Sequence, residues 1–321
     1  MKIAMLVRGL DYGYSGHITP LVAALQSLGV NVNVVNAGGD LKAAAYVLNH
    51  RLDVDVLHCQ GSYSCPFRVW VPKVTTVHTL LGDELFYDWS LKTWLGKPFE
   101  SRTLRSSDAV ISVNPVLNEG IRKISPEADI RVIPNAVNVD EFNSCPRQRE
   151  NILLAGGRLT ARKNFLTLTR ALQGTDLPPL YIFGDGPQYE AIFKSLRIGD
   201  TMLRYIRCRE LVSLYRDALL FICPSLYETG PITVLEAMAA HCPVVCADIP
   251  GIRATVKDEE TGLLYPPNNI DKLVHQIRRL TEDAELRHRL AENAYSYVCQ
   301  HRRWEDAAKE TVKVYEEVIA N

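Results

Sequence analysis

The 321 residues are too many for one small core and suit two domains of ordinary size. Hydrophobic residues make up 47% and charged residues 23%, a globular composition. The 36 basic and 37 acidic residues leave a formal net charge of −1. That balance offers no global field for nucleic acid or anionic lipid, so a nucleic-acid partner is excluded on bulk grounds and only local patches stay open.

The chain opens on Met1-Lys2-Ile-Ala-Met-Leu-Val-Arg8, whose apolar stretch is too short for a signal peptide and reads as a buried strand. Further short Val/Ile/Leu runs predict strands over 30–35, 54–58, 74–77, 109–113 and 130–133. Helical periods fill the gaps at 19–28, 41–52, roughly 91–105 and 116–123. Unbroken apolar runs suit strands buried on both faces of a parallel sheet, the doubly wound α/β pattern. Residues 134–147, polar with a proline near each end, read as an interdomain linker. Strands then recur at 152–155, 180–183, 219–223, 244–247 and 263–265, with helices at 166–172, 188–196, 210–216 and 233–240. Three helical stretches close the chain at 270–280, 284–297 and 304–319, the last with a stripe of Trp304, Ala308, Val312, Tyr315 and Ile319. The expected domains are 1–145, 146–302 and a terminal helix, 303–321, packing on the first. No uncharged apolar run approaches the ~20 residues of a membrane span.

Eight cysteines form no CxxC pair, and no Cys/His spacing suits a zinc site. They read as reduced thiols of a soluble, cytoplasmic protein.

In open α/β sheets ligands bind beyond the C-terminal strand ends, so the residues just after strands carry the candidates. The most informative run is Pro224-Ser-Leu-Tyr-Glu228-Thr-Gly-Pro-Ile-Thr-Val-Leu-Glu236. Glu228 falls in a turn and Glu236 one turn inside the next helix, whose first amides suit a phosphate or sugar hydroxyls. Two glutamates alone can equally be acids favoured by a helix start. Gly156-Gly157-Arg158 with Lys163 follows a strand; the glycines admit a close ligand, and the two cations suit a diphosphate. A solvated loop with surface cations explains the same residues. Gly13-Tyr-Ser-Gly16-His17 is a glycine-bearing connection without the GxGxxG spacing, and His58 and His78 each end a strand, where a histidine is commonly structural.

Together these pieces resemble the retaining glycosyltransferases of family four, of GT-B fold. The Glu-x7-Glu spacing of Glu228 and Glu236 matches that family's signature, and Gly157-Arg158 with Lys163-Asn164 is similar to its diphosphate-binding pair. The run ending at Asp248, Ile133-Pro-Asn-Ala-Val137 with Phe142, Gly184-Asp-Gly-Pro187 and Thr261-Gly-Leu-Leu-Tyr265 fall where the family has comparable segments. The match covers nearly the whole second half; the first half matches more loosely, through Gly16, His78 and 108–113.

The resemblance implies two facing Rossmann-like domains with a cleft between them and a C-terminal helix crossing back to the first. It implies a hexosyltransferase that uses a nucleotide-diphosphate sugar, with a UDP-sugar as the family's usual donor, and needs neither metal nor cofactor. Glu228, His78, Arg158 and Lys163 become the catalytic set: Glu228 and His78 on the transferred sugar, Arg158 and Lys163 on the diphosphate as charge grows there. Glu236 takes the ribose. Gly16, Gly157, Gly230, Ile232 and Thr233 complete the donor contacts, because Pro231 stands where the family often has an amide-bearing residue and has no N–H to offer. The acceptor, whether sugar, lipid or small molecule, is not specified. A non-catalytic nucleotide-sugar binding protein and a GT-B nucleotide-sugar epimerase are the competing readings. The stretch from Leu80 to Trp94, rich in aromatics and followed by Lys97, Arg102 and Arg105, suits three roles: receiving an acceptor, resting on a membrane face, or packing to its own domain.

Overall fold

The computed structural model describes residues 1–7, 12–36, 40–49, 53–87, 89–142, 150–204 and 206–321. The chain divides into two compact units, Met1–Ala136 with Trp304–Asn321, and Val137–Arg303.

In the first unit the order is β1 (Lys2–Val7), α1 (Tyr12–Ser27), β2 (Asn31–Asn36), α2 (Asp40–Asn49), β3 (Val56–Gln60), β4 (Lys73–Val77), α3 (Leu81–Tyr87), α4 (Leu91–Arg105), β5 (Ala109–Ser112), α5 (Asn118–Ile124) and β6 (Ile130–Val132). The six strands form one parallel sheet in the order β2-β1-β3-β4-β5-β6. β3 and β4 are buried at every position, and their polar members are satisfied inside: Lys73 donates to the Cys65 carbonyl, and His58 and Gln60 hydrogen-bond to side chains around them. The strand order reverses direction between β1 and β3, so this is the unit's topological switch point.

The second unit runs α6 (Val139–Phe142), β7 (Leu153–Gly156), α7 (Phe165–Leu172), β8 (Leu180–Phe183), α8 (Tyr189–Phe193), β9 (Thr201–Leu203), α9 (Cys208–Asp217), β10 (Leu220–Cys223), α10 (Ile232–Ala239), β11 (Val244–Ala247), α11 (Pro250–Arg253), β12 (Leu263–Tyr265), α12 (Ile270–Glu282) and α13 (Ala284–His301). Its parallel sheet has the order β12-β11-β10-β7-β8-β9, with the switch point between β7 and β10. Caps fix the last helices: Asn269 accepts from the Lys272 amide and Asp283 from the Leu286 amide.

The terminal helix α14 (Trp304–Ala320) returns to the first unit and packs on α1, placing Trp304, Ala308, Val314 and Tyr315 in that unit's core. The buried face differs from the expected stripe. It runs through 304, 307, 308, 311, 314, 315 and 318, leaving Val312 half-buried and Ile319 exposed. Small Ala307 and polar Thr311 belong to it because Thr311 satisfies its hydroxyl on the Ala307 carbonyl, a bond that residue class does not announce.

Three further expectations are corrected. The first helix starts at Tyr12 rather than at 19, so Gly16 is helical instead of lying in a connecting loop. Two glycines, Gly13 and Gly16, are poor helix formers and hid that first stretch. Val137, Val139 and Phe142, read as linker, are core residues of the second unit, where Arg216 donates to the Phe142 carbonyl (2.6 Å); residues 143–149 lie outside the described residues. The edge strand β9 escaped notice because three residues carry no periodicity.

Among the described residues no helix is long and apolar enough to cross a membrane.

Candidate donor site of the second unit

Both runs singled out after strands lie at the second unit's switch point: Gly157-Arg158 follows β7, and Pro224–Glu228 follows β10. They meet through side chains. Lys163 Nζ donates to Glu228 Oε1 at 2.5 Å, and Ser225 Oγ donates to the same oxygen at 2.8 Å. The Lys163 and Glu228 side chains are only 13% and 7% exposed, so this ion pair escapes the screening that weakens surface pairs. The main chain reinforces it, since the Leu226 amide donates to the Arg162 carbonyl at 2.8 Å.

Glycines make the approach possible. Gly157 has φ +131, a backbone region L side chains avoid, and faces Thr233 at the start of α10. The Gly184-Asp-Gly-Pro187 turn is zipped to the Gly157 loop by Gly157 N to Phe183 O (3.0 Å) and Leu159 N to Asp185 O (2.9 Å). A Cβ at Gly184 would overlap the Gly157 carbonyl, and one at Gly251 the Glu228 carbonyl.

At the start of α10 the Val234 and Leu235 amides bond to the Pro231 carbonyl. The Ile232 and Thr233 amides precede the first intrahelical bond, leaving two donors and the positive dipole end directed out of the helix. The Arg158 carbonyl accepts from the Thr160 amide (3.0 Å), while its exposed guanidinium makes no hydrogen bond or ion pair among the described residues.

Glu236, half-buried one turn into α10, accepts from the Tyr215 hydroxyl at 2.8 Å. Burial pushes its carboxyl up to about 7, against the opposing effect of the tyrosine bond. Tyr215 is fully buried against Phe142, Phe183 and Phe221. Sequence reasoning missed Tyr215, Ser225 and Gly251. Ser225 and Gly251 carried a signal by position, each in a run that directly follows a strand, and Tyr215 carried none.

Gly16 and His78 belong to the first unit. A Cβ at Gly16 would meet nothing within 4 Å. His78 follows β4, its Nε2 shares a 3.0 Å hydrogen bond with Gln60 Oε1, and its ring lies 4.3 Å from that of His17. Burial, then the neighbouring histidines, hold His78 well below the usual imidazole range, so it is neutral. His58 is the structural histidine of the pair. It is fully buried, pushed down to about 3 by burial, and bonded to the Tyr315 hydroxyl (2.6 Å) and the Thr76 hydroxyl (2.7 Å). His17, His58, Gln60, His78, Trp304 and Thr311 line a cavity of about 30 Å³, room for a water. Among the described residues, no group of three or more His, Cys, Asp or Glu side chains has a metal-holding arrangement.

Residues 139–297 match the family model described as Glycosyl transferases group 1, and residues 41–141 the one described as Glycosyltransferase Family 4. This chain belongs to the glycosyltransferases. It is 30% identical over 230 residues to an uncharacterized glycosyltransferase of Methanocaldococcus jannaschii, in an alignment spanning 64% of this chain and 59% of the relative. This glycosyltransferase therefore spans less than two thirds of that relative's length. Sucrose-phosphate synthase from Thermosynechococcus elongatus is similar in structure, with TM-score 0.84 and 21% identity over 100% of this chain and 99% of that one. HepE of Anabaena, in complex with UDP and glucose, has TM-score 0.80 and 16% identity over 99% and 100%. At such identities the likeness is one of fold, and the fold is GT-B, two parallel six-stranded α/β domains.

Proposed function

We propose that this glycosyltransferase moves a hexose from a nucleoside-diphosphate sugar to an acceptor with retention of anomeric configuration and without a metal ion. The observation that carries the reading is the Lys163–Glu228 pair at the second unit's switch point, beside the open amides of Ile232 and Thr233.

A diphosphate held there meets Lys163, Arg158 and the helix dipole, three sources of positive potential for the charge that grows as the sugar–phosphate bond breaks. These cations supply the physical reason a metal is dispensable. Glu228, released from Lys163 by the incoming anion, accepts from the sugar hydroxyls. Glu236 accepts from the ribose, and Gly157 and Gly230 let the backbone come close. From the first unit, Gly16 and neutral His78 are assigned to the same donor by resemblance, His78 to the transferred sugar. In the retaining step the C1–oxygen bond to phosphate breaks, the acceptor oxygen bonds to C1 on the same face, and its proton passes to the departing phosphate oxygen. UDP is the nucleotide of choice on the family's habit, in keeping with the UDP bound by HepE. The buried thiols of Cys59, Cys65, Cys223 and Cys246 fit a reducing, cytoplasmic setting.

The test is release of free nucleoside diphosphate from a panel of nucleotide sugars, through transfer or slow hydrolysis. Wild type releases it from one donor class, with or without EDTA. Lys163→Ala and Glu228→Gln, folded by circular dichroism, lose about a hundredfold or more of that rate, the scale of a lost charge-stabilising donor. Unchanged release by both variants rejects the site. Binding without release indicates a nucleotide-sugar binding protein, and an isomerised donor an epimerase.

A further inference from the structure

Most of the first unit's exposed apolar side chains are gathered in one place. Phe86, Trp89, Leu91, Trp94, Leu95 and Phe99 are 81%, 72%, 58%, 56%, 54% and 38% exposed, all within the end of α3, its connection to α4, and α4 itself. Single exposed apolar residues are ordinary; six within fourteen positions form a patch.

The polarity of α4 is inverted relative to a helix made only to pack on its own domain. Positions 91, 94, 95, 98, 99, 102 and 105 follow the i, i+3, i+4 rows of one helical face, which presents Leu91, Trp94, Leu95 and Phe99 to solvent. The opposite face buries Glu100, Thr103 and Leu104. The Glu100 carboxylate is turned inward to accept from Ser62 Oγ (2.6 Å) and from the Leu81 amide (3.0 Å), which caps the start of α3. With that acid withdrawn, the exposed charges of α4 among the described residues are Lys97, Arg102 and Arg105, all basic. The acids of α3, Asp83 and Glu84, lie in its first turn and are half-buried. The packing role that the sequence left open for these aromatics is therefore not the one they have.

We propose that the α3–α4 segment is a docking surface for an anionic lipid bilayer. Trp89, Trp94 and their aliphatic neighbours enter the headgroup–acyl boundary, and Arg102 and Arg105, on the same face of α4, meet the acidic headgroups. Three observations select that partner. Tryptophan and phenylalanine suit the interfacial zone, and the helix lies along its own axis with apolar and basic groups on one face. The exposed charges match a surface of negative sign. The near-neutral whole chain makes this attraction local to the patch. The proposal stands apart from the donor site and uses none of its residues.

Co-sedimentation of the full chain with vesicles tests it, with no nucleotide present, so its outcome is independent of the enzymatic reading. Wild type is expected to pellet with vesicles of equimolar phosphatidylglycerol and phosphatidylcholine and far less with phosphatidylcholine alone. Added salt should weaken pelleting, and tryptophan emission should shift to the blue on binding. Trp89→Ala/Trp94→Ala, shown to be folded by circular dichroism, should stay in the supernatant. Arg102→Gln should lose about fivefold in vesicle affinity. Wild type remaining in the supernatant with anionic vesicles overturns the proposal, and so does equal pelleting of wild type and the tryptophan variant. Concentration-dependent self-association abolished by Trp94→Ala, without vesicle binding, overturns it in favour of a second copy of this chain.

Discussion

Glu228 is held by its neighbours rather than by a regular element. Its oxygen receives Lys163 and Ser225, and its carbonyl rests against the bare Cα of Gly251. Gly251→Ala should therefore displace the Glu228 turn, lowering stability by about 1–3 kcal/mol and weakening nucleotide binding; denaturant melts and a nucleotide-induced thermal shift read the two effects. Glu236 gives a pH signature. Its folded carboxyl stands near 7, above its ordinary value of 4.5, so the folded state holds a proton the unfolded state has lost between those values. Its contribution to stability is then greatest at acid pH and falls as pH rises through 7. Glu236→Gln should flatten that fall, and a chemical-denaturation series from pH 5 to 8 will show it. A slope unchanged by the substitution would mean that the buried carboxyl is already paired to its ionised form. The identities and order of Gly157, Arg158, Lys163, Glu228 and Glu236 were legible in the sequence. The pairing of Lys163 with Glu228 and of Glu236 with Tyr215 was not, because the partners lie 65 and 21 residues apart and meet only when strands align.

Most elements declared themselves because a strand buried on both faces is a plain apolar run: 180–183, 244–247 and 263–265 match the observed strands residue for residue. What escaped were elements whose reason is tertiary. β9 is three residues of edge strand, and the start of α1 contains two glycines that count against helix. α14 was legible as an element and as a return to the first unit, but its buried face runs through Ala307, Thr311, Val314 and Val318 rather than Val312 and Ile319; Tyr315, common to both, bonds to His58. That bond ties the last helix to the centre of the first sheet. Removing residues after Arg303 should strip Trp304, Ala308 and Tyr315 from the core and leave the first unit's amides open to hydrogen exchange while those of the second stay protected. Tyr315→Phe, which deletes only the hydroxyl, should cost about 1–3 kcal/mol as His58 loses a buried partner. Because His58 is neutral when folded, with a value near 3 against 6.5 when free, the network's stability is fully present above pH 6.5 and is lost as pH falls toward 3. Replacing His58 by Asn should remove that acid limb of the melting curve.

Over the whole chain, the same construction is used twice: a parallel six-stranded sheet with a switch point, β1/β3 in one unit and β7/β10 in the other. The candidate donor residues of the second half sit at its switch point, and Gln60 and His78 sit at the C-terminal ends of β3 and β4 in the first. Glycine-bearing connections after strands made this plan readable. The exposed aromatics of α3 and α4 were visible as residues, yet which way they face depends on Glu100 being drawn inward by Ser62, a contact between distant segments. In the proposed function Lys163, Arg158 and the first amides of α10 act as one electrostatic receptor for a diphosphate. A crystal structure with a bound nucleoside diphosphate tests it most directly. The phosphate oxygens are expected within hydrogen-bond reach of Lys163 Nζ, the Arg158 guanidinium and the amides of Ile232 and Thr233. A diphosphate ordered elsewhere, with these four donors untouched, contradicts it.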